Sequence, residues 1–130
     1  MDEKKRFDEG MKMRRQVLGD THVDRSLEQL TPLNRDFQEF ITRYAWGEVW
    51  SRPGLSRSTR SLLTLVMMVA LHREEEFRMH LRAALRNGVT REEISESILH
   101  AAIYCGLPAA NAAYKWADQE LAKIDSSEVS

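Results

Sequence analysis

Apolar residues recur at intervals of three and four along most of the chain, which is the spacing of one face of an α-helix. The pattern predicts a charged outer helix over residues 3 to 18, with Gly19 as its stop. Residues 19 to 32 are predicted to be mostly loop, with one weak helical turn around residues 25 to 30. A second helix should follow Thr31-Pro32 and end near Gly47 or Trp50, and its apolar stripe is Phe37, Phe40, Ile41 and Tyr44.

Local start and stop signals predict four more helices. A third begins at a Ser56 or Ser58 cap and runs to about residue 71, and a fourth covers about 74 to 86 before Asn87-Gly88. Thr90 and Glu93 form a capping-box pattern that opens a fifth helix, and Gly106-Leu107-Pro108 ends it. The last helix starts near Pro108. No segment has strand periodicity, so the predicted fold class is all-α.

At 130 residues the chain is expected to form a single domain over residues 1–130. Residues 1–32 would be an N-terminal helix and arm, 33–124 the helical core, and 125–130 a frayed tail. The third helix is apolar on nearly every side from Leu62 onward, which a small monomer would struggle to cover. We therefore expect self-association into a homo-oligomer.

Charge and cysteine usage exclude several classes of function. Nineteen Lys and Arg balance 20 Asp and Glu, which disfavours a nucleic-acid or membrane partner. Cys105 is the one cysteine, so an internal disulfide and a CxxC redox pair are excluded, and a reducing cytoplasm is compatible. The N-terminus lacks the apolar core of a signal peptide, and the longest apolar run is shorter than the about 20 residues of a membrane span.

The segment from Ile41 to Gly54 concentrates aromatic residues and arginines at a helix end. An arginine fork binds a carboxylate bidentately, and aromatic walls strengthen that contact by excluding water. Arg43 beside Tyr44, Trp46 and Trp50 therefore suggests a pocket for a small anion. The same aromatics could instead belong to the core or to a subunit interface.

A possible acid/base pair lies on the fourth helix. His72, Glu76 and His80 follow at spacings of four, and a carboxylate one turn from an imidazole can orient it. His80 is the best proton-transfer candidate because it adjoins inward positions, although a surface ion pair with Glu76 is the alternative. A metal bound by these three residues is possible, but the spacing is not diagnostic, and we predict no metal.

Other polar residues could support the site. Arg60 precedes the buried run of the third helix, and it would bind either a substrate carboxylate or Glu48 or Glu76. Arg73 is a weaker carboxylate candidate. His100, Tyr104 and Asn111 are plausible residues around the site, whereas Cys105 is predicted to be a packed thiol.

Three segments make the chain resemble the 4-carboxymuconolactone decarboxylases of protocatechuate breakdown. They are ITRYAWGEVWSRPGLSRSTRSLLTL, EEEFRMHLRAALRNGVTREEI and LHAAIYCGLPAANAAY, and VLGDTHVDR extends the likeness toward the N-terminus. The helix of His80 and the turn after it are also similar to the wider alkyl hydroperoxidase D-like superfamily. Redox members of that superfamily carry a CxxC pair where this chain has Arg73 and Glu76, which argues against thiol peroxidase chemistry.

The resemblance implies a homo-oligomer, a hexamer, that decarboxylates a lactone dicarboxylate without a cofactor. Arg43 and Arg60 would hold the carboxylates, with Arg73 as a weaker candidate, while His80, oriented by Glu76, would donate to the enolate and then protonate carbon. Tyr44, Trp46 and Trp50 would shield the departing carboxylate from water. The alternatives are an isomerase acting on a related lactone or small acid, and a helical oligomeric binding protein without enzymatic activity.

Overall fold

The computed structural model describes residues 2–129, and their side chains as far as Ser127. Every regular element within that range is helical, which confirms the all-α prediction. The elements are α1 (Glu3–Leu18), α2 (Asp20–Glu28), α3 (Arg35–Ile41), a π-helix (Thr42–Trp50), α4 (Arg57–Leu71), α5 (Glu74–Arg86), α6 (Arg91–Cys105) and α7 (Leu107–Val129). The chain contacts divide it into two compact units, which meet in sequence between Arg57 and Ser58.

In the first unit, α1 begins and ends where its sequence signals predict. The Asp2 side chain accepts a hydrogen bond from the Lys5 amide at 2.7 Å, and the Gly19 amide donates to the Arg15 carbonyl. The predicted loop after Gly19 is wrong, because α2 forms there. Val23 is fully buried, and α2 is tied to α1 by ion pairs from Arg15 to Asp20 and Asp24. These tertiary contacts stabilise a helix that a polar composition did not reveal.

The predicted second helix reaches Trp50 as expected, but it changes form on the way. From Thr42 onward it is a π-helix, which is rare and is frequently found at functional sites. Phe37 and Phe40, expected in the apolar stripe, are more than half exposed.

Two glycines bring α1 and the π-helix together. A Cβ at Gly10 would overlap the Thr42 carbonyl oxygen, and a Cβ at Gly47 would come within 2.5 Å of the Arg6 carbonyl oxygen. Neither helix could approach the other so closely with a side chain at these positions. The pair of glycines therefore determines how the aromatic segment is held against α1.

The second unit contains α4 to α7 around one apolar core. α5 has the predicted bounds, and the capping box of α6 is present, with the Thr90 hydroxyl accepting from the Glu93 amide at 3.0 Å. α7 continues to Val129, through most of the segment expected to fray, and Ser130 lies outside the described residues. The largest core side chains are Leu65, Val69, Phe77, Leu81, Ile94, Ile98 and Trp116.

A buried carboxylate joins α5 to α7. Glu120 is 3% exposed, and it accepts hydrogen bonds from Arg82 at 2.8 Å and Arg78 at 3.2 Å. Burial by itself raises the pKa of Glu120, but the hydrogen bonds from Arg82 and Arg78 outweigh it and the net pKa is lowered. The carboxylate thus stays ionised between the two helices.

Large apolar side chains are exposed on α4, on α6 and at the start of α7. We call this set the apolar patch, and it consists of Leu63, Met67, Leu71, Leu99, Ile103, Tyr104 and Leu107. The α4 members are spaced by four, so they form a stripe on one face of that helix. None of the helices described is both long and apolar enough to cross a membrane.

Candidate active site

His80 lies on α5 at the edge of the second unit's core. It is half-buried and one turn after Glu76, and both Phe77, three residues before it, and Leu81, the next residue, are fully buried. Glu76 is exposed. An imidazole in this position lies on an amphipathic helix, one turn from a carboxylate that can orient it.

The residues that precede α5 do not continue its face. His72, which the spacing placed in line with Glu76 and His80, lies in the turn with a positive φ of 56°, and its ring contacts Trp116. Arg73 is exposed at the helix start, where its carbonyl accepts from the Phe77 amide at 2.9 Å. The prediction that His72 lies on one helix face with Glu76 and His80 is therefore wrong. Among the side chains described, no group of three or more His, Cys, Asp or Glu could hold a metal ion.

Arg60 is half-buried on α4, next to the fully buried Ser61. Its carbonyl accepts a hydrogen bond from the Thr64 hydroxyl at 2.8 Å. Desolvation makes a guanidinium in this position depend on an anion or on polar neighbours.

The residues expected around the site on α6 and α7 lie at the surface of the second unit. His100 and Tyr104 are exposed and stack on each other, with ring centroids 5.2 Å apart. Asn111 lines an apolar groove of ≈ 590 Å³, together with Leu99, Ala102, Leu107, Pro108, Ala110 and Tyr114. Tyr104 also belongs to the apolar patch.

In the first unit, Arg43 is already paired with carboxylates. Its Nε lies 3.3 Å from Glu3 Oε2 and its Nη1 lies 3.8 Å from Glu39 Oε2. The Tyr44 hydroxyl donates to the same Glu3 oxygen at 2.9 Å. Arg43 also lines an open depression of ≈ 260 Å³ with Glu3, Lys4, Phe7 and Glu39. These acids balance the Arg43 charge and reduce its attraction for a further carboxylate.

The tryptophans of the π-helix pack against each other. Trp46 is buried, Trp50 is half-buried, and their ring centroids are 5.0 Å apart. Glu48 forms ion pairs with Arg6 and Arg52. The guanidinium over the Tyr44 ring is that of Arg6, at 5.3 Å from the ring centroid.

A buried cation that sequence reasoning missed lies beside the π-helix. Arg14 of α1 is 5% exposed; its Nη1 donates to Thr42 Oγ1 at 3.3 Å and its Nη2 to Gln38 Oε1 at 3.2 Å. Burial and the nearby Arg15 lower the pKa of Arg14. The one signal in the sequence is spacing, since Arg14 follows Gly10 by four residues and precedes Val17 by three, and the structure shows that all three positions are buried.

Comparison with known proteins identifies related sequences. A family model described as the carboxymuconolactone decarboxylase family matches residues 35–119, which include parts of both units. A 4-carboxymuconolactone decarboxylase of Acinetobacter baylyi is 56% identical over 119 residues, covering 92% of this chain and 89% of that protein. A nitrosuccinic acid decarboxylase of Metarhizium robertsii is 52% identical over 102 residues, covering 78% and 71%. A 4-carboxymuconolactone decarboxylase of Pseudomonas putida is 62% identical over 48 residues, covering 37% and 100%.

Proposed function

Because the chain belongs to the carboxymuconolactone decarboxylase family, we propose that it converts 4-carboxymuconolactone into β-ketoadipate enol-lactone and carbon dioxide. The observation that carries this proposal is the A. baylyi relative, which bears that activity in its name and is 56% identical over 92% of this chain. The reaction belongs to the protocatechuate branch of the β-ketoadipate pathway.

The substrate supplies its own electron sink. The departing carboxylate is on a ring carbon conjugated through a double bond to the lactone carbonyl. When the carbon–carbon bond breaks, its electron pair moves through that double bond onto the carbonyl oxygen, and a proton is then added at the carbon next to the carbonyl. The protein must bind two carboxylates, stabilise the enolate oxygen and deliver one proton, and we propose that it needs no cofactor.

His80 is our candidate for the proton donor. Its half-buried position beside Phe77 and Leu81 keeps the ring on a rigid element, and Glu76 one turn earlier can orient it. Arg60 is our candidate for one substrate carboxylate, with Arg73 as a weaker one. Arg43 is less suitable than its sequence context suggested, since Glu3 and Glu39 already flank it.

The aromatic residues would exclude water from the departing carboxylate. A poorly solvated carboxylate loses carbon dioxide more readily, and the stacked Trp46 and Trp50 provide an apolar surface for this purpose, with Tyr44 on the same π-helix. Four further candidates would act on the site only through other residues: Glu48, His100, Tyr104 and Asn111.

The apolar patch supports self-association, and we propose a homo-oligomer, a hexamer in the form that the family resemblance implies. Large apolar side chains left exposed in this number favour a protein contact. The single free thiol, Cys105, is compatible with the cytoplasm, where we place the enzyme.

The test is turnover of freshly generated 4-carboxymuconolactone by purified, chelator-treated protein, with carbon dioxide and the enol-lactone measured together. We expect equal amounts of both, and a loss of about 10²-fold or more in rate for His80→Gln. The matched control is His22→Gln, which changes a half-buried histidine of α2. Consumption without carbon dioxide would favour an isomerase, and no consumption by folded protein would favour a binding role.

A second candidate substrate is nitrosuccinate, because a relative 52% identical to this chain is named for its decarboxylation. Both molecules are dicarboxylates, so a common carboxylate site could serve either. Comparing kcat/KM for the two substrates on one preparation decides between them. A ratio above about 10³ in favour of the lactone would fit the discrimination expected from a shaped polar site.

A further inference from the structure

The first unit contains a buried arginine whose charge is balanced by no acid among the described side chains. Arg14 is 5% exposed, and its two hydrogen bonds, at 3.2 and 3.3 Å, go to neutral oxygens of Gln38 and Thr42. Its Nε has no hydrogen-bond partner. Among the side chains described, which extend to Ser127, no carboxylate forms an ion pair with Arg14, although a guanidinium offers five N–H donors. Burying a cation in this way is costly unless an anion joins it.

Other arginines of the same unit are treated differently. Arg15, the next residue on α1, is paired with Asp20 and Asp24, Arg6 with Glu48, and Arg43 with Glu3 and Glu39. Carboxylates are therefore plentiful near α1, but none is directed at Arg14. Arg14 therefore differs from these three arginines in having only neutral hydrogen-bond acceptors.

The two hydrogen-bond acceptors of Arg14 differ in burial. Thr42, the first residue of the π-helix, is buried, and its hydroxyl donates to the Gln38 carbonyl at 2.8 Å, so it can only accept from Arg14. Gln38 is half-buried, and its side-chain oxygen occupies a position that a carboxylate oxygen could take. Exchanging a neutral acceptor for a carboxylate would give Arg14 a stronger, charge-assisted hydrogen bond.

We propose that Arg14 binds the carboxylate that the substrate keeps. Thr42 would retain its hydrogen bond to the guanidinium, and the substrate carboxylate would replace the Gln38 side-chain oxygen as the second acceptor. The inference rests on the proposed function, since it takes the substrate to be a lactone dicarboxylate. Carbon dioxide is neutral, so a cation paired with the departing carboxylate would lose its partner as the bond breaks and would favour the ground state. A strong arginine contact is therefore best used on the retained acetate arm, where it is the same before and after the reaction.

Kinetics of Arg14→Met test this assignment. Loss of a contact made equally to substrate and transition state raises KM and leaves kcat nearly unchanged. We expect KM, and the inhibition constant of the enol-lactone product, each to rise at least about tenfold, because hydrogen bonds to charged groups are worth that much or more. The melting temperature should not fall, because the variant removes a buried, unbalanced charge. Arg14→Lys keeps the positive charge but not the two-pronged guanidinium, so its KM and product inhibition constant should lie between those of the wild type and Arg14→Met.

The matched control is Arg15→Met, which removes the neighbouring arginine, and we expect it to leave KM and the product constant unchanged. If Arg14→Met lowers the melting temperature and leaves both constants unaltered, Arg14 is structural and the proposal is wrong. Should Arg14→Met fail to fold, the same constants measured for Arg14→Lys decide the question.

A direct binding measurement separates this proposal from the proposed function. Calorimetric titration with succinate, an unreactive dicarboxylate, is made on the wild type, Arg14→Met and Arg15→Met. Saturable binding lost in Arg14→Met alone supports an anion site even if the wild type does not turn over the lactone. Equal binding by all three proteins, or none by the wild type, would overturn the Arg14 site while leaving the decarboxylase proposal to its own assay.

Discussion

Gly10 of α1 lies directly against the carbonyl oxygen of Thr42, with no room for a Cβ between the two helices. One turn further along α1, Arg14 reaches the Thr42 hydroxyl at 3.3 Å. The glycine thus sets the distance at which the guanidinium meets the π-helix. Packing of α1 and the proposed anion site depend on the same contact.

Gly10→Ala should destabilise the protein by about 2 to 3 kcal/mol, because the new methyl group must push backbone away rather than a flexible side chain. Chemical denaturation monitored by circular dichroism measures the change. Gly54→Ala is the control, since nothing lies within 4 Å of a Cβ built there. Equal stability of the two variants would mean that α1 does not pack this closely in solution.

Local signals were sufficient to predict several helices. Gly19 ends α1, Thr90 with Glu93 begins α6, and Asn87-Gly88 follow α5, each as the sequence indicated. α2 was missed because one fully buried side chain, Val23, and ion pairs to α1 stabilise it, and neither can be read from its own polar sequence. The π-helix was missed because residue periodicity over nine positions does not distinguish it from an α-helix.

The candidate site was predictable only in part, because local spacing is visible in the sequence and tertiary contacts are not. His80 was identified because it adjoins inward positions of an amphipathic helix, and Phe77 and Leu81 are indeed fully buried. Arg14 was not identified as a site residue, because an arginine in a highly charged helix is expected to be exposed. The pairing of Arg43 with Glu3 joins residues 40 positions apart, and spacing along one helix contains no information about it.

Glu120→Gln should lower stability by about 2 kcal/mol at neutral pH, because it removes the charged acceptor for Arg78 and Arg82. The folded protein lowers the pKa of Glu120, so the stability it contributes is present above the unfolded pKa and is lost as the pH falls through the folded pKa. The difference between wild type and variant should therefore shrink in acid.

Urea denaturation at several pH values measures this difference. Asp118→Asn is the control, because Asp118 is an exposed acid on the same helix, and a change within about 0.5 kcal/mol is expected. A Glu120→Gln penalty that stays constant into the acid range would show that the loss arises from packing and not from the ionised carboxylate.

Ile103→Glu should weaken self-association, because it places a charge in the apolar patch at a side chain that is 76% exposed in the single chain. Sedimentation velocity at micromolar concentration would detect the smaller species, with circular dichroism to show that the helices remain. Ala122→Glu introduces the same side chain at an exposed position of α7 outside the patch and should keep the wild-type assembly. Identical sedimentation of both variants would place the interface elsewhere.

Arg43→Met distinguishes the two arginines of the first unit. The Arg43 guanidinium has Glu3 at 3.3 Å and Glu39 at 3.8 Å, whereas Arg14 has only neutral acceptors. Loss of partly exposed ion pairs should cost about 0.5 kcal/mol of stability, and KM for the lactone should change by less than about threefold. Steady-state kinetics beside Arg14→Met provide the comparison. A large rise in KM for Arg43→Met with none for Arg14→Met would show that Arg43, and not Arg14, binds the substrate carboxylate. In that case the Arg43 guanidinium would exchange Glu3 for the substrate.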